Sequence, residues 1–421
     1  MRSSPGRRRL LAAAGATLVA ASTVAACGSE SGTQINVYYA PEQNFQSVID
    51  QCNKEAGGKY EIVYRKLPRD ADGQREQMVR RLAAGDTDLD ILGLDVTWVP
   101  EFAEAKWLEE WTGADKTAAE DDVLEGPLST AMWNDKLYAA TKNTNVQLLW
   151  YDDTVTPTPP ATWREMIDAA KDLKSQGKPY QILFTGAQYE GLVVTYNTLV
   201  ASYGGKILSD DGKSVVMDKG AIDALRLLKE VASEGITDPS LTNAQEQQVQ
   251  QAFERPDSDA AFELNWPYVY AAIQDANPDR AKNFKWARYP GIDGPGRVTV
   301  GGYNLAVSAY SQHKPESFEA ALCLRSAESQ RYSAINDGVP PTIESVYDGD
   351  DAEFVKAYPM WETIAEELDD AAVRPLTVVY QNLSTITSKV LSPPQDIDPE
   401  STAAELRDQL QKALDSKGVL P

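Results

Sequence analysis

The chain has 421 residues, which exceeds the usual size of one domain, so two domains are expected. Its composition, with 42% hydrophobic and 24% charged residues, is typical of a globular protein. The formal net charge of −23 at pH 7 excludes nucleic acid and anionic lipid as natural ligands, because so acidic a surface repels both, and it favours neutral ligands.

Residues 1–26 have the pattern of an export signal peptide. An arginine-rich head precedes an apolar run that is too short for a stable transmembrane helix. The run ends immediately before Cys27, as in the lipobox of bacterial lipoproteins, where this cysteine is lipidated and becomes the new N-terminus. Residues 27–34 then form a polar spacer. Plain secretion after cleavage at an alanine motif is the alternative, and both the Sec and the Tat export routes stay open.

Two cysteines remain once Cys27 is lipidated. We expect Cys52 and Cys323 to form a disulfide, because an exported protein folds where disulfides form. Such a bridge would tie an early segment of the chain to a late one, which predicts a first lobe built from discontinuous segments. A free, buried pair of thiols is the alternative.

The mature chain begins with alternating strands and helices. Strands are predicted at residues 35–40, 60–64 and 89–94, and helices at 45–56, 72–84 and 99–105. This alternation is typical of a doubly wound α/β domain. The third strand leads directly to Asp95, at its C-terminal end.

The next segment has the pattern of a chain that crosses between two lobes. Strands are predicted at residues 136–140 and 146–151, and the polar residues 141–145 separate them. After this crossing, a loop at residues 185–191 presents Tyr189 and Glu190. A polar helix at residues 243–254 then has Glu246 in its first turn.

Residues 260–270 predict a ligand-binding turn. A short apolar strand ends at Leu264, and Pro267 stops both the strand and any helix that would include Trp266. Open α/β sheets bind their ligands at such strand ends. An indole ring beside Glu263 and Asn265 suits a sugar, whose C–H face stacks on the ring while its hydroxyl groups need polar partners. The alternative is that Trp266 is an ordinary core residue.

The last third of the chain contains two further candidate crossings. Residues 298–307 are predicted as two short strands interrupted by a glycine pair, and residues 338–341 as a turn between lobes. Residues 314–330 between them are predicted as one helix. Arg374 lies in a loop at residues 369–380, and helices follow to the C-terminus.

Most enzyme chemistry is excluded by the residues that are present. His313 is the only histidine, which removes Ser–His–Asp and Cys–His catalysis and histidine-ligated metals. No phosphate-binding loop or GxGxxG motif occurs, and neither a metal nor a cofactor is expected. A glycosidase with two carboxylates stays open as the alternative function. Asp95, Glu190, Glu246 or Glu263 could supply the pair, with Glu246 and Glu263 as the first choice.

Several segments together resemble the extracellular solute-binding proteins of ABC sugar importers, of the maltose-binding-protein type. The resemblance rests on residues 138–150, 300–307 and 338–341 as crossings and on the E-x-N-W-P turn within residues 260–268. Shorter phrases resemble the trehalose-binding lipoproteins of mycobacteria across the whole mature chain. They lie at residues 94–96, 143–145, 189–191, 373–375 and 397–402. The segment from about residue 277 to 297 is shorter than in those lipoproteins.

The resemblance implies an α/β fold with two lobes, of the type II periplasmic-binding-protein class, in which each lobe is a sheet flanked by helices. It places lobe 1 at residues 35–143 plus 305–339 and lobe 2 at residues 144–304 plus 340–421. The ligand cleft would lie at a hinge of several strands. The implied protein is not an enzyme but a monomeric, lipid-anchored receptor on the outer face of the cell membrane. It would capture a neutral disaccharide, with trehalose as the first candidate, and deliver it to an ABC permease.

The resemblance also implies a set of ligand contacts. Asp95, Asn145, Glu246, Trp266 and Arg374 match positions expected to contact trehalose: carboxylates accept hydroxyl protons, the guanidinium donates several hydrogen bonds, and the indole stacks. Loop positions add a second group of candidates, which are Glu42, Gln43, Tyr189, Glu190, Gly302 and Tyr303. Plainer roles stay open for some of them: solvated turn residues at 42 and 43, a hinge at 302, and helix or backbone capping at 190 and 95.

Overall fold

The computed structural model describes residues 33–209 and 212–416. The signal peptide, Cys27 and most of the predicted spacer at residues 27–34 lie outside these ranges. Export and lipidation therefore remain predictions from the sequence.

Strands and helices alternate along most of the described chain. The strands are β1 Thr33–Tyr39, β2 Tyr60–Lys66, β3 Ile91–Asp95, β4 Met132–Trp133, β5 Lys136–Leu137, β6 Ala140–Asn145, β7 Leu148–Asp152, β8 Gln181–Leu183, β9 Ala260–Asn265, β10 Phe284–Ala287 and β11 Gly301–Val307. The helices are α1 Phe45–Glu55, α2 Ala71–Ala83, α3 Val99–Glu104, α4 Gly113–Glu120, α5 Glu125–Thr130, α6 Trp163–Ser175, α7 Glu190–Ser202, α8 Lys219–Ser233, α9 Glu246–Glu254, α10 Tyr268–Ala276, α11 Pro278–Ala281, α12 Lys314–Leu324, α13 Ala327–Asp337, α14 Ala352–Ala357, α15 Trp361–Asp370, α16 Tyr380–Leu391 and α17 Pro399–Leu414.

The first sheet has five strands in the order β2-β1-β3-β11-β6. β1 pairs in parallel with both β2 and β3, whereas β11 runs antiparallel to β3 and β6. Parallel neighbours end at the same edge of a sheet. Asp95 at the end of β3 therefore shares one edge with residues 40–43 after β1 and residues 69–70 after β2.

The second sheet has four strands in the order β10-β7-β9-β8. Its strand β9 pairs antiparallel with β7 and parallel with β8. All six residues of β9 are buried, including the polar residues Glu263 and Asn265. The strand ends at Asn265 and so delivers Trp266 to the edge of this sheet.

Two separate hydrophobic cores define two lobes. The first core joins buried residues from positions 35–140 with others from 305–324, and the second joins positions 146–298 with 334–413. The lobe boundaries predicted at 143/144 and 304/305 fall within β6 and β11, and both of these strands belong to the first sheet. The described strands thus place the crossings a few residues away, between β6 and β7 and just before β11.

Local sequence signals explain many of the elements. In α1 the buried residues Phe45, Val48, Ile49 and Cys52 follow the spacing of one helix face. The side chain of Thr162 accepts a hydrogen bond from the backbone N–H of Glu165, and the side chain of Glu165 accepts one from the backbone N–H of Thr162. This pair of bonds is the capping box that begins α6.

Three predictions of secondary structure are wrong. Residues 141–145 are part of strand β6 rather than an irregular polar crossing, and all but the last are buried. Residues 301–307 form one strand with an irregularity between Tyr303 and Asn304, not two strands separated by glycines. The helix predicted at 314–330 is two helices, because the Ser326 side chain caps a new helix by accepting from Ser329.

The predicted disulfide is confirmed. Cys52 on α1 and Cys323 on α12 are bonded, with their Cα atoms 5.9 Å apart and a sequence separation of 271. The bridge holds the early and late segments of the first lobe together.

Candidate ligand-binding cleft

A cleft of about 490 Å³ opens between the two lobes. Its walls come from the ends of β1 and β3, the strand β11, the first turns of α7 and α9, and the turn after β9. Small-molecule sites commonly measure about 300–1,000 Å³. The eleven residues predicted to contact ligand all line this cleft: Glu42, Gln43, Asp95, Asn145, Tyr189, Glu190, Glu246, Trp266, Gly302, Tyr303 and Arg374.

Arg374 joins the two lobes across the back of the cleft. Its Nη2 donates to Asp95 Oδ1 and Oδ2 on the first lobe, at 3.0 and 3.2 Å, and its Nη1 donates to Glu190 Oε1 on the second, at 2.5 Å. Burial alone would lower the pKa of Arg374, but Asp95, Tyr380 and Glu190 together raise it. Its Nε has no hydrogen-bond partner among the described residues. Arg374 can therefore bridge the lobes and still offer a donor to a ligand.

Glu190 is the first residue of α7 and is enclosed by donors. It accepts from Arg374, from the Tyr380 hydroxyl at 2.5 Å, and from Ser384. Burial raises its pKa, which Arg374 partly offsets. These contacts occupy both carboxylate oxygens, so Glu190 orients Arg374 in addition to lining the cleft.

Trp266 projects into the cleft from the turn after β9. Its side chain is only half-buried, in contrast to the fully buried strand that precedes it. The indole packs over Gly301 so closely that a Cβ atom there would lie 3.1 Å from its ring. Asn265 fixes the turn: its Oδ1 accepts from the Trp266 backbone at 2.9 Å, and its Nδ2 donates to the Glu246 carbonyl at 3.1 Å. Trp266 is thus a cleft residue and not a core anchor.

Glu246 begins α9 beside Trp266. The hydroxyl of Tyr189 and the indole N–H of Trp266 approach its carboxylate, and burial raises the pKa of Glu246. The Glu246 side chain lines the cleft and is half-buried. The Tyr189 hydroxyl is buried and does not complete a hydrogen bond of normal geometry.

A buried lysine holds Glu42 at the other end of the cleft. Lys142 Nζ donates to both oxygens of Glu42, at 2.8 and 2.6 Å, and the Tyr39 hydroxyl donates to Oε1 at 2.6 Å. Lys142 is 1% exposed and also lies 5.1 Å from the centre of the Tyr39 ring. Glu42 is therefore a fixed acceptor of the cleft wall and not a solvated turn residue. Gln43 follows it along the same wall.

Gly302 and Asn145 lie at the hinge. Gly302 has a φ of 122°, and a Cβ atom on it would lie 2.3 Å from the Asn143 carbonyl oxygen, so a larger residue would force β6 and β11 apart. Tyr303 next to it donates to Gln74 at 3.1 Å. Asn145 Oδ1 is buried, and no residue at 33–209 or 212–416 donates a hydrogen bond to it. This orphan acceptor faces the region where a ligand hydroxyl would satisfy it.

The sequence missed several residues of the cleft wall. The polar ones include Arg69, Asp70, Asn143, Gln247, Gln250, Tyr268, Asn336 and Asp337. The sequence does indicate Arg69 and Asp70 as cleft residues, because they follow a predicted strand just as Asp95 does. The others lie on helices or inside β6, and their exposure to the cleft depends on tertiary packing.

Glu263 lies outside the cleft. Its side chain is 1% exposed within the second sheet and accepts from Asn265 Nδ2 at 2.8 Å. The carboxylate pair Glu246 and Glu263, which the glycosidase alternative requires, therefore does not share one open site.

Glu263→Gln is expected to flatten the dependence of stability on pH. Burial raises the pKa of Glu263 to about 8, whereas a glutamate in the unfolded chain titrates near 4.3. Between these values the unfolded state loses the proton that the folded state keeps. The free energy of unfolding then falls with rising pH, by up to roughly 1.4 kcal/mol per pH unit. Urea denaturation across about pH 5 to pH 8 measures this slope.

The glutamine cannot ionise, yet its carbonyl oxygen can still accept from Asn265. The free energy of unfolding of the variant is still expected to fall somewhat with rising pH. Burial also raises the pKa of Glu367 to about 7, and that residue is unchanged in the variant. Equal slopes for the variant and the parent protein would contradict the prediction.

Two lobes with a ligand-sized cleft at their hinge define a binding protein of the type II periplasmic class. The fold matches maltose-bound MalE3 of T. maritima with a TM-score of 0.82 and 25% identity, over 90% of this chain and 99% of that one. It matches the GacH receptor of Streptomyces glaucescens, solved unliganded and with acarbose, with a TM-score of 0.80 and 20% identity, over 91% and 99%.

A model of the bacterial extracellular solute-binding protein family matches residues 39–331. The chain belongs to this family. A protein of Deinococcus radiodurans named "probable ABC transporter-binding protein" is 27% identical over 392 residues, which cover 87% of this chain and 89% of that protein. The family name places its members outside the cytoplasm. None of the helices at residues 33–209 and 212–416 has the length and apolar character needed to span a bilayer.

Proposed function

We propose that this protein is the receptor of an ABC sugar importer. It captures a neutral disaccharide, with trehalose as the first candidate, and delivers it to the membrane permease while anchored to the outer face of the membrane through lipidated Cys27. The observation that carries the proposal is the half-exposed indole of Trp266 in a cleft whose walls offer hydrogen-bonding groups from both lobes. A sugar needs both an apolar face and many hydrogen bonds.

The charges of the cleft favour an uncharged ligand over an anion. The two buried cations at the cleft, Lys142 and Arg374, are each held by carboxylates of the protein. An anionic ligand would have to compete with those carboxylates and would also meet Asp95, Glu190 and Glu246. Hydroxyl groups, in contrast, can donate to these acceptors without any charge repulsion.

The related structures support a sugar as the ligand class. MalE3 of T. maritima was solved with maltose, and the GacH receptor with acarbose. Support for trehalose itself comes from the resemblance of residues 94–96, 143–145, 189–191 and 373–375 to trehalose-binding lipoproteins. Each of these four phrases contains a residue that lines the cleft: Asp95, Asn145, Glu190 and Arg374.

Binding is proposed to work by closure of the lobes. Asp95 and Glu42 stand on the first lobe and Trp266 and Glu246 on the second, so one sugar in contact with all four favours the closed form. The crossings before β7, before β11 and after α13 absorb the bending. The Gly338 backbone after α13 has a φ of 66°, a conformation that glycine adopts easily.

Trp266→Ala is expected to weaken disaccharide binding by roughly 30- to 100-fold, equivalent to about 2–3 kcal/mol, because stacked aromatic anchors dominate such sites. Calorimetric titration with trehalose, maltose and other neutral disaccharides first identifies the preferred ligand and then measures the variant. Trp286→Ala is the matched control, since Trp286 lies on β10 in the same lobe, packs against Tyr270, and does not line the cleft.

Two results would overturn this proposal. One is equal affinity in the Trp266 variant and the parent protein. The other is turnover: release of free glucose from trehalose or maltose with saturation kinetics would favour the glycosidase alternative, which the buried position of Glu263 already disfavours.

A further inference from the structure

Glu246 differs from three other acidic residues that line the cleft, Glu42, Asp95 and Glu190. Glu42 is paired with Lys142, and Asp95 and Glu190 are both paired with Arg374. For Glu246, the described part of the chain offers no lysine or arginine within ion-pair distance. The carboxylate therefore lines a ligand cleft without a cationic side chain among the described residues beside it.

The surroundings of Glu246 make a charged contact there strong. Tyr189, Trp266 and Tyr268 line the same corner of the cleft, and all three interact electrostatically with the carboxylate or approach it as donors. Their rings displace water, which strengthens any charge interaction beyond its value at an open surface. Aromatic faces also attract ammonium groups.

Two observations indicate that this corner is incomplete without a ligand. The Tyr189 hydroxyl is buried, with 9% exposure of the residue, and within the described part of the chain it has no partner of normal hydrogen-bond geometry. The pKa of Glu246 is raised by burial, with no nearby cation to lower it. At the same time Glu246 is the first residue of α9, whose N-terminal dipole favours the ionised carboxylate.

We propose that Glu246, Tyr189, Trp266 and Tyr268 form a subsite for an ammonium group carried by the sugar. The ligand class would be amino-deoxy disaccharides, in which a protonated amine replaces the hydroxyl that would otherwise face Glu246. This rests on the proposed sugar-binding function, and it adds that the receptor prefers a monocationic sugar to its neutral parent. The amine would donate to the carboxylate, and the Tyr189 hydroxyl would gain a polar neighbour.

The test is a calorimetric titration with trehalose and with each mono-amino-deoxy trehalose, in which the amine replaces one hydroxyl position at a time. One of these isomers is expected to bind roughly tenfold tighter than trehalose, because a hydrogen bond between opposite charges is stronger than one from a neutral hydroxyl. The N-acetyl form of that isomer, which is uncharged, is expected to lose the advantage.

Glu246→Gln keeps the size of the side chain and removes its charge. This variant is expected to bind trehalose and the preferred amino isomer equally. Glu254→Gln is the matched control. It removes one charge from the other end of the same helix, about 12 Å away, and its glutamine oxygen can still accept from Gln250. The control is expected to retain the preference for the amine.

The outcomes separate this proposal from the proposed function. If trehalose binds but no amino isomer binds more tightly, the ammonium subsite is refuted and the receptor function stands. A preference for the amine that survives Glu246→Gln also refutes the subsite. If no disaccharide in the panel binds, charged or neutral, the receptor function itself fails.

Discussion

Replacing Arg374 by alanine is expected to lower both the stability of the protein and its affinity for sugar. The guanidinium is 3% exposed and holds Asp95 of the first lobe and Glu190 of the second. Its removal leaves two buried carboxylates without a cation, which costs about 3–5 kcal/mol of unfolding free energy. The ion pair that links Asp95 to the second lobe is lost as well, so the closed form becomes less populated and affinity falls by at least roughly tenfold.

The affinity loss can be separated from the stability loss by a matched arginine. Arg288 also bridges two carboxylates, Glu367 at 3.2 Å and Asp370 at 3.0 Å, but all three lie within the second lobe and away from the cleft. Arg288→Ala is expected to lower the free energy of unfolding and leave affinity unchanged. Denaturation by urea and calorimetric titration of both variants make the comparison.

Arg374→Lys adds a second test of the role of Arg374. Lysine keeps the positive charge but has no planar fork, so it cannot hold Asp95 and Glu190 together. Stability is expected to recover in part and affinity to remain reduced. If the Arg374 and Arg288 variants lose affinity equally, the loss follows from general destabilisation and the bridging role of Arg374 is wrong.

Local patterns in the sequence predicted the parts of the cleft that depend on local structure. Asp95 follows an apolar strand, Glu246 opens a polar helix, and Trp266 precedes a proline at the end of a strand. In each case the position of the side chain is set by the element directly beside it in sequence. The same reasoning extended to β2 would have found Arg69 and Asp70.

The sequence could not predict which charges pair, because the partners are far apart along the chain. Arg374 lies 279 residues from Asp95 and 184 from Glu190, and nothing near position 374 indicates either contact. Polar character was also misleading in residues 141–145, where Lys142 is buried because Glu42 compensates its charge. A buried polar strand looks like a loop when its partners are unknown.

The interpretation of Asn265 as a polar partner of the sugar is wrong for a related reason. Its position beside Trp266 suggested contact with sugar, yet it is fully buried and binds the backbone of Trp266, the carbonyl of Glu246 and the side chain of Glu263. Asn265 therefore links strand β9 to the first turn of α9 and to the turn that contains Trp266. A polar residue next to a ligand-binding ring can thus serve the geometry of the site without lining it.

Removing the disulfide is expected to lower the free energy of unfolding by about 2–5 kcal/mol. The bond joins two residues with a sequence separation of 271, so the loop that it closes is long and the unfolded chain is strongly restricted. The variant Cys52→Ala/Cys323→Ser suits the environment of each site, since Cys52 is 1% exposed in the core and Cys323 is half-exposed. Urea denaturation of the variant and of the parent protein, with and without reductant, measures the effect.

The position of the disulfide predicts how its removal affects stability and sugar affinity. Both cysteines stand on helices of the first lobe, and neither lines the cleft. Stability should therefore fall while sugar affinity at native temperature stays unchanged, and reductant should affect the parent protein but not the variant. An unchanged denaturation midpoint would show that packing between α1 and α12 already restricts these segments without the bond. A fall in affinity would instead show that the first lobe needs the bridge to hold Glu42 and Asp95 in place.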